Sequence, residues 1–436
     1  MTPFEIGLLA LGGMALLVML GMFVPIALIL TSFLGVWAIK GSPILAAKML
    51  GLAANDAIAS YFFGVVPLFV LMGFLVSESG VGRDAFDVAN AMFRRIRGGL
   101  GVGTVAANAI FAAVTGISIA SAAVFTKIAV PEMRRHGYTA RFSVGVVAGS
   151  SVLGMLIPPS LLLILYGLLT EQSIGDLFVA GIGPGILLAV FFAVGVVLMA
   201  RFAPGFTGDT LGTGAERLTG AELLSKSIPL TALIVMVLGG IYAGFFTPVE
   251  AGAVGAIGAL LIGLAKRRLS PAALWRVLVE TGLVTAAVCL LIIAAQMYSR
   301  MLAFSGVPNA FGQMAATADL GLMGLLLLYC LVVILMGMIL DSSSIMLILV
   351  PLMLPILDPM GVDLIWFGII TVVAIEVGLL TPPFGISVYV IKSTLNDDSV
   401  SLSDIFIGAA PFALMMLLCL ALIIAFPPIA TGLLSF

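Results

Sequence analysis

"IEVGLLTPPFGIS", Ile375 to Ser387, lies inside an apolar run long enough to cross a bilayer, yet it holds a carboxylate and a Pro-Pro pair. The carboxylate is Glu376, the prolines are Pro382 and Pro383, and Gly378 and Gly385 stand close by. A charge at mid-depth costs at least about 2.5–3.5 kcal/mol. Proline removes an amide donor and frees an upstream carbonyl. The sequence therefore predicts a helix that breaks inside the membrane. Carbonyls freed there cannot stay unpaired in hydrocarbon. They must be buried in protein, meet water, or ligate something.

The segment has a copy. At an offset of 224 residues, "GMLIPPS" from Gly154 falls on "GLLTPPF" from Gly378, and "VPEMRRHGYTA" from Val130 on "LPILDPMGVDL" from Leu354. In both copies 27 residues separate the first proline (Pro131, Pro355) from the Pro-Pro pair (Pro158, Pro382). "GMFVP" at Gly21 matches "GFFTP" at Gly244, "SGV" recurs at Ser79 and Ser305, and "GDLFVAG" at Gly175 echoes "SDIFIGA" at Ser403. An ordered series of this kind is a duplication. A polar stretch, Ala203 to Ser227, joins the halves.

Each half reads as the same string of elements. Spans over 4–23 and 25–39 precede a surface helix (43–58), a third span (61–78) and a second surface helix (82–97). A hairpin (99–134), a broken span (140–170) and a last span (177–200) follow. The second half repeats this at 229–243, 248–265, 270–282, 284–304, 307–318, 320–358, 364–393 and 405–427. The hairpin arms are short for full crossings at 1.5 Å per residue. A re-entrant hairpin is preferred over two short spans, and either one returns the chain to the side it left. Five crossings per half then give about ten spans and two oppositely oriented halves, the inverted-repeat plan of secondary transporters.

Charge supports the same topology. With Arg83, Arg94, Arg95 and Arg97 placed in the cytoplasm, fifteen of nineteen basic residues fall inside, Arg217 and Lys226 among them. Lys40 and Lys48 fall outside, and Lys127 and Arg300 lie in or beside membrane segments. Such a bias obeys the positive-inside rule and places both termini in the periplasm.

Composition agrees with a membrane solvent. Of 436 residues 62% are hydrophobic and 9% charged, with a mean hydropathy of +1.29, where a soluble domain carries roughly 25% charge. The fold class is an all-α polytopic membrane protein; the ten-residue alternation of a barrel is absent. The N-terminus lacks a basic n-region and reads as the first span, not a cleaved signal. Cys289, Cys330 and Cys419 are far apart in apolar surroundings and only one histidine is present, which argues against a disulfide framework or a zinc site. No Walker pattern occurs, and nothing suggests nucleic acid.

The hairpin tips, "TGISIAS" from Thr115 and "MILDSSS" from Met338, gather hydroxyls and small residues. Paired with the break of its own half, each tip offers carbonyl, hydroxyl and carboxylate oxygens, which suit sodium, while half-helix N-termini suit an anion. The first sodium site would use Thr115, Gly116, Ser118, Ser121, Gly154 and Pro158. The second would use Asp341, Ser342, Ser343, Gly378, Thr381 and Pro382. A substrate anion would lie between them against Ser118, Ser121, Ser160, Ser342, Ser344 and Ser387. Asp341 could instead be a satisfied structural carboxylate, and Glu376 could cap the unwound segment or take part in transport. Glu250 organises helix packing, and His136 is solvated.

The segments "GISIASAAVFTKIAVPEM", "GSSVLGMLIPPS", "FFTPVEAGAVGA", "MGMILDSSSIMLILVPLMLPI" and "EVGLLTPPFGISVYV" resemble the large membrane subunit of tripartite ATP-independent periplasmic (TRAP) transporters, in family order and over essentially the whole chain. The resemblance implies an elevator mechanism. Its scaffold would be 1–97 with 228–318, and its mobile transport domain 98–202 with 319–436, joined by a cytoplasmic linker over 203–227. It also implies sodium-coupled uptake of organic acids across the bacterial inner membrane, no cofactor beyond the coupling ion, and no enzymatic activity. A periplasmic binding protein would deliver substrate, and a four-helix membrane subunit would be a separate chain, since this one begins directly with the large subunit. Two points depart from symmetry: Asp341 falls opposite Ile117, and Glu376 opposite Val152. Related dicarboxylate and citrate carriers carry Ser-Asn-Thr at their tips, where this chain has "SIAS" and "SSS". The competing readings are a self-sufficient carboxylate carrier of similar plan and, from other classes, a channel or a membrane-embedded enzyme.

Overall fold

The computed structural model describes residues 1–208, 218–317 and 321–435. The middle of the expected linker, with Arg217, and the expected boundary at 318/319 lie outside the described residues. Helices dominate, and among the described residues the one β contact is an isolated bridge between Tyr138 and Gly208. Their starts follow from short polar side chains. Thr2, Ser42, Thr139, Ser173, Thr219, Thr247, Ser270 and Ser401 each accept a first-turn amide, a cap worth about 1 kcal/mol each.

Among the described residues six helices are long and apolar enough to span a membrane: Ile174–Phe202, Gly220–Tyr242, Pro248–Ala265, Pro271–Ser305, Ser342–Met360 and Leu402–Ala425. Val65–Glu78 and Val81–Phe93, bent by 66°, form a seventh candidate. Shorter apolar helices of 10–17 residues, Pro3–Met19 and Val24–Lys40 among them, accompany these. The two hairpins are Gly99–Thr115 with Ser118–Arg135, and Gly321–Gly337 with Ser342–Leu357. The first broken span is Ala140–Ser151, a tight turn Val152–Met155, and Leu161–Thr170; the second is Leu364–Leu379 and Ile386–Leu395. Each break holds a cis Pro–Pro bond, Pro158–Pro159 or Pro382–Pro383.

Two elements depart from the sequence reading. The expected surface helix 270–282 and span 284–304 are one continuous helix, Pro271–Ser305. In the first repeat, extended Ser60 ends the corresponding surface helix. The second copy offers only Gly282 at its junction, and an interior glycine costs about 1 kcal/mol, too little to break a packed helix. The linker is also shorter than expected, because a helix starts at Gly220, seven residues before the expected end of the polar stretch. Its start is fixed by a reciprocal capping box, in which Thr219 accepts from the Glu222 amide and Glu222 from the Thr219 amide.

Packing reproduces the duplication. Val65–Glu78 packs on Pro248–Ala265, and reciprocally Pro271–Ser305 packs on Val24–Lys40. Ala140–Ser151 packs on Leu402–Ala425, while Leu364–Leu379 packs on Ile174–Phe202. Every one of these pairs joins an element of one repeat to an element of the other. Reciprocity of this kind is what a twofold relation between repeats produces. The hairpins pack on the outer helices as well as on the broken spans, Gly99–Thr115 on Val81–Phe93 and Ser342–Leu357 on Pro271–Ser305, and their buried faces join one continuous apolar core.

Candidate functional site

The two hairpin tips organise the site. At the first, Gly116 takes a left-handed backbone (φ +65°), and a Cβ there would lie 2.3 Å from the Pro159 carbonyl oxygen. Only glycine fits such a seat. The Gly116 carbonyl accepts from the Leu161 amide at 3.2 Å, which fastens the tip to the first break. Gly154 closes on the same tip, since a Cβ on it would stand 3.1 Å from the Ile117 carbonyl carbon and the Ser118 nitrogen. At the second tip the Phe384 amide donates to the Met338 carbonyl at 3.2 Å. Gly337 and Gly378 touch backbone to backbone there, for a Cβ on Gly378 would come 2.6 Å from the Gly337 Cα. The structure thus brings each tip onto the break of its own repeat.

Helix starts collect at these contacts. Ser118 and Leu161 begin helices at the first tip, Ser342 and Ile386 at the second. The two pairs are laced together: Ser118–Arg135 packs on Ile386–Leu395, and Ser342–Leu357 packs on Leu161–Thr170. A helix N-terminus carries unsatisfied N–H groups and partial positive charge. The pair of helix starts at each tip favours a negatively charged ligand.

The individual side chains differ in how committed they are. Thr115 is buried and donates to its own helix at Phe111 O (2.9 Å). Ser118 is fully buried and its hydroxyl has no hydrogen-bond partner among the described residues. Ser121 donates to Asn108 Oδ1, and Asn108 Nδ2 donates to Ser150 Oγ at 2.6 Å. Pro158 is buried. Ser160 caps Leu161–Thr170, accepting from the Leu163 amide (3.3 Å) and donating to Met155 O (2.5 Å). One of the carbonyls at the first break is therefore already taken.

In the second set Asp341 is half-buried and is itself a helix cap. It accepts the Ser344 amide at 3.1 Å and the Ser344 hydroxyl at 2.5 Å. Ser342 and Ser344 are buried, Ser343 and Thr381 half-buried, and Pro382 exposed. Thr381 donates to Val377 O at 2.7 Å. Ser387 is fully buried, and neither its hydroxyl nor the carboxylate oxygens of buried Glu376 have a hydrogen-bond partner among the described residues. Sequence reasoning missed Asn108 and Ser150. Their signal was a polar amide at mid-arm in "VAANAIF", which an apolar hairpin carries only for a reason.

Three comparisons place this geometry among known proteins. The family model "Tripartite ATP-independent periplasmic transporter, DctM component" matches residues 11–429. The chain belongs to the TRAP transporter family. It is 34% identical over 86% of both chains to the C4-dicarboxylate TRAP transporter large permease DctM of Pseudomonas aeruginosa. It is 31% identical over 84% of both chains to the ectoine TRAP transporter large permease TeaC of Halomonas elongata. In fold it is similar to the Alcanivorax borkumensis YdaH transporter, with a TM-score of 0.63 at 17% identity over 88% of this chain and 90% of that one. This TRAP large permease is a multi-pass membrane protein whose relatives are transport permeases and not enzymes. Family membership implies a small membrane subunit and a periplasmic binding protein as partners.

Proposed function

We propose that this permease is the large subunit of a sodium-coupled symporter that imports an organic acid handed over by a periplasmic binding protein. The observation that carries the reading is the docking of each hairpin tip onto the break of its own repeat, with the Ser118 and Ser387 hydroxyls buried beside the helix starts and without a partner among the described residues. A sodium ion would sit at each tip and break, on the two residue sets given above. The carboxylate would take the helix starts between them, where Ser118, Ser160, Ser342 and Ser387 stand.

Residues 98–202 and 319–436 form the moving domain in this reading, and 1–97 with 228–318 the fixed scaffold. The reciprocal packing of hairpins on the opposite repeat's broken span supports movement as one body. Both termini face the periplasm in this reading.

The test is uptake into proteoliposomes holding the permease and its small subunit. Accumulation of the acid that binds the partner protein should require that protein and an inward sodium gradient. Equal uptake in potassium, or without the binding protein, would refute the coupling.

A further inference from the structure

We propose that the surface helix Val81–Phe93, hereafter the arm, with the turn that follows it, is a binding site for an anionic phospholipid. Four arginines lie here: Arg83 in the first turn, and Arg94, Arg95 and Arg97 after the last. None makes an ion pair among the described residues. The acids that could neutralise them are engaged elsewhere. Asp84 pairs with Lys266, and Asp87 with Lys226 at 2.5 Å, both on the second repeat. The carboxylates thus fasten the arm to its neighbours, and the guanidinium groups are left facing outward.

Two further observations select a lipid over a free anion. Met92 and Ile96 interrupt the arginines and are 68% and 42% exposed. Apolar side chains alternating with basic ones suit the boundary between headgroups and acyl chains. Beside them a cavity of about 340 Å³, lined by Arg83, Asn90, Glu132, Arg135 and Lys226, opens between the arm, the first hairpin and the helix from Gly220. Arg83 and Asn90, at i and i+7, share one helix face on that cavity, and Arg94 caps the helix end just beyond it. Asp87 also lines the cavity, whose two carboxylates are paired within the wall, Asp87 with Lys226 and Glu132 with Arg135 at 3.6 Å, which leaves Arg83 as the excess cation for a phosphodiester. The corresponding helix of the second repeat, Val307–Thr317, has no charged residue. The device belongs to one repeat only, so the duplicated fold does not require it.

The site bridges the arm and the first hairpin, so a bound lipid holds those two elements together. Native mass spectrometry of the purified full chain, titrated with phosphatidylglycerol, phosphatidylcholine and inorganic phosphate, tests the proposal. Phosphatidylglycerol should bind in preference to phosphatidylcholine and should resist competition by millimolar phosphate. Each arginine changed to alanine among Arg83, Arg95 and Arg97 should weaken it about fivefold. The triple lysine variant should restore most of the affinity, which separates charge from folding. Equal binding of the two lipids, an unchanged titration in the triple alanine variant, or displacement by phosphate would each overturn it.

Discussion

The two tip-and-break units descend from one duplicated segment, yet they are held in different ways. The first is sealed: Ser118, Ser121, Gly154, Pro158 and Ser160 are all buried, and Asn108 ties the hairpin to the broken span through Ser121 and Ser150. The second is open at its break, where Pro382, Pro383 and Phe384 are exposed. None of the three residues of the first tie survives the offset, since Val332, Ile345 and Ala374 occupy those positions. A different bond, Tyr329 to Thr371 at 3.0 Å, links hairpin to broken span instead. Leu340 stands where the first tip has Gly116, and Asp341 supplies a cap where the first has Ile117. Duplication preserved the backbone plan. Each copy then acquired its own fastening.

The sharpest way to break this comparison is to add a methyl at the tips. Gly116→Ala combines a left-handed backbone with a clash against the Pro159 carbonyl, and a loss of about 3 kcal/mol is expected. Gly378→Ala meets backbone at 2.6 Å and should cost about 2 kcal/mol. Gly154→Ala, at 3.1 Å, should cost less than about 1 kcal/mol. Thermal unfolding of the three purified variants ranks them, and a destabilised Gly154→Ala beside an intact Gly116→Ala would reverse the seating described here.

Asn108→Ala should come next. It strips partners from two buried hydroxyls, a loss of about 2 kcal/mol, whereas Val332→Ala on the exposed face of the second hairpin should be nearly neutral. The same melting measurement decides between them, and equal losses would remove the distinction between sealed and open units.

Asp341 separates cap from charge. Asp341→Asn keeps an acceptor for the Ser344 amide, so stability should hold while half-saturating sodium in uptake rises about tenfold, a shift of about 1.4 kcal/mol. Asp341→Ala should add a capping loss of about 1 kcal/mol. An unchanged sodium titration in Asp341→Asn leaves the residue as a cap alone.

The smallest effect lies outside the membrane spans. Hydrogen bonds from Ser399 and then Arg134 hold the Asp397 carboxyl down at about 2. Its folded value lies below the ordinary aspartate value of about 3.9, so the contribution is complete above that value and is lost as pH falls through about 2. Asp397→Asn should flatten this part of the acid melting profile, and a profile identical to the parent's would deny the pairing a role in stability.

Much of this arrangement could be read from residue order, because its signals are local. The Pro-Pro pairs, the tip hydroxyls and the 224-residue offset locate the hairpins within about two residues of their observed ends. The start at Gly220 was also local, written in Thr219 and Glu222. The tie through Asn108 was not, because Asn108 and Ser150 lie 42 residues apart, and no spacing rule brings a hairpin arm against a particular turn of a broken span. The cap formed by Asp341 shows a second limit. A carboxylate beside three serines reads equally as ligand or as cap until the direction of its oxygens is known.

Arg134 pairs with Asp397, and Arg141 with Asp404, each across 263 residues. Both bonds join the first repeat to the second. At 5–20 residues per second, a ribosome needs roughly 13–50 s to deliver those aspartates after their arginines have emerged. Throughout that interval the first hairpin and its broken span wait in the bilayer as half of an interlocking pair. Birth of this protein thus includes a long pause in which one copy must keep its shape until its twin arrives.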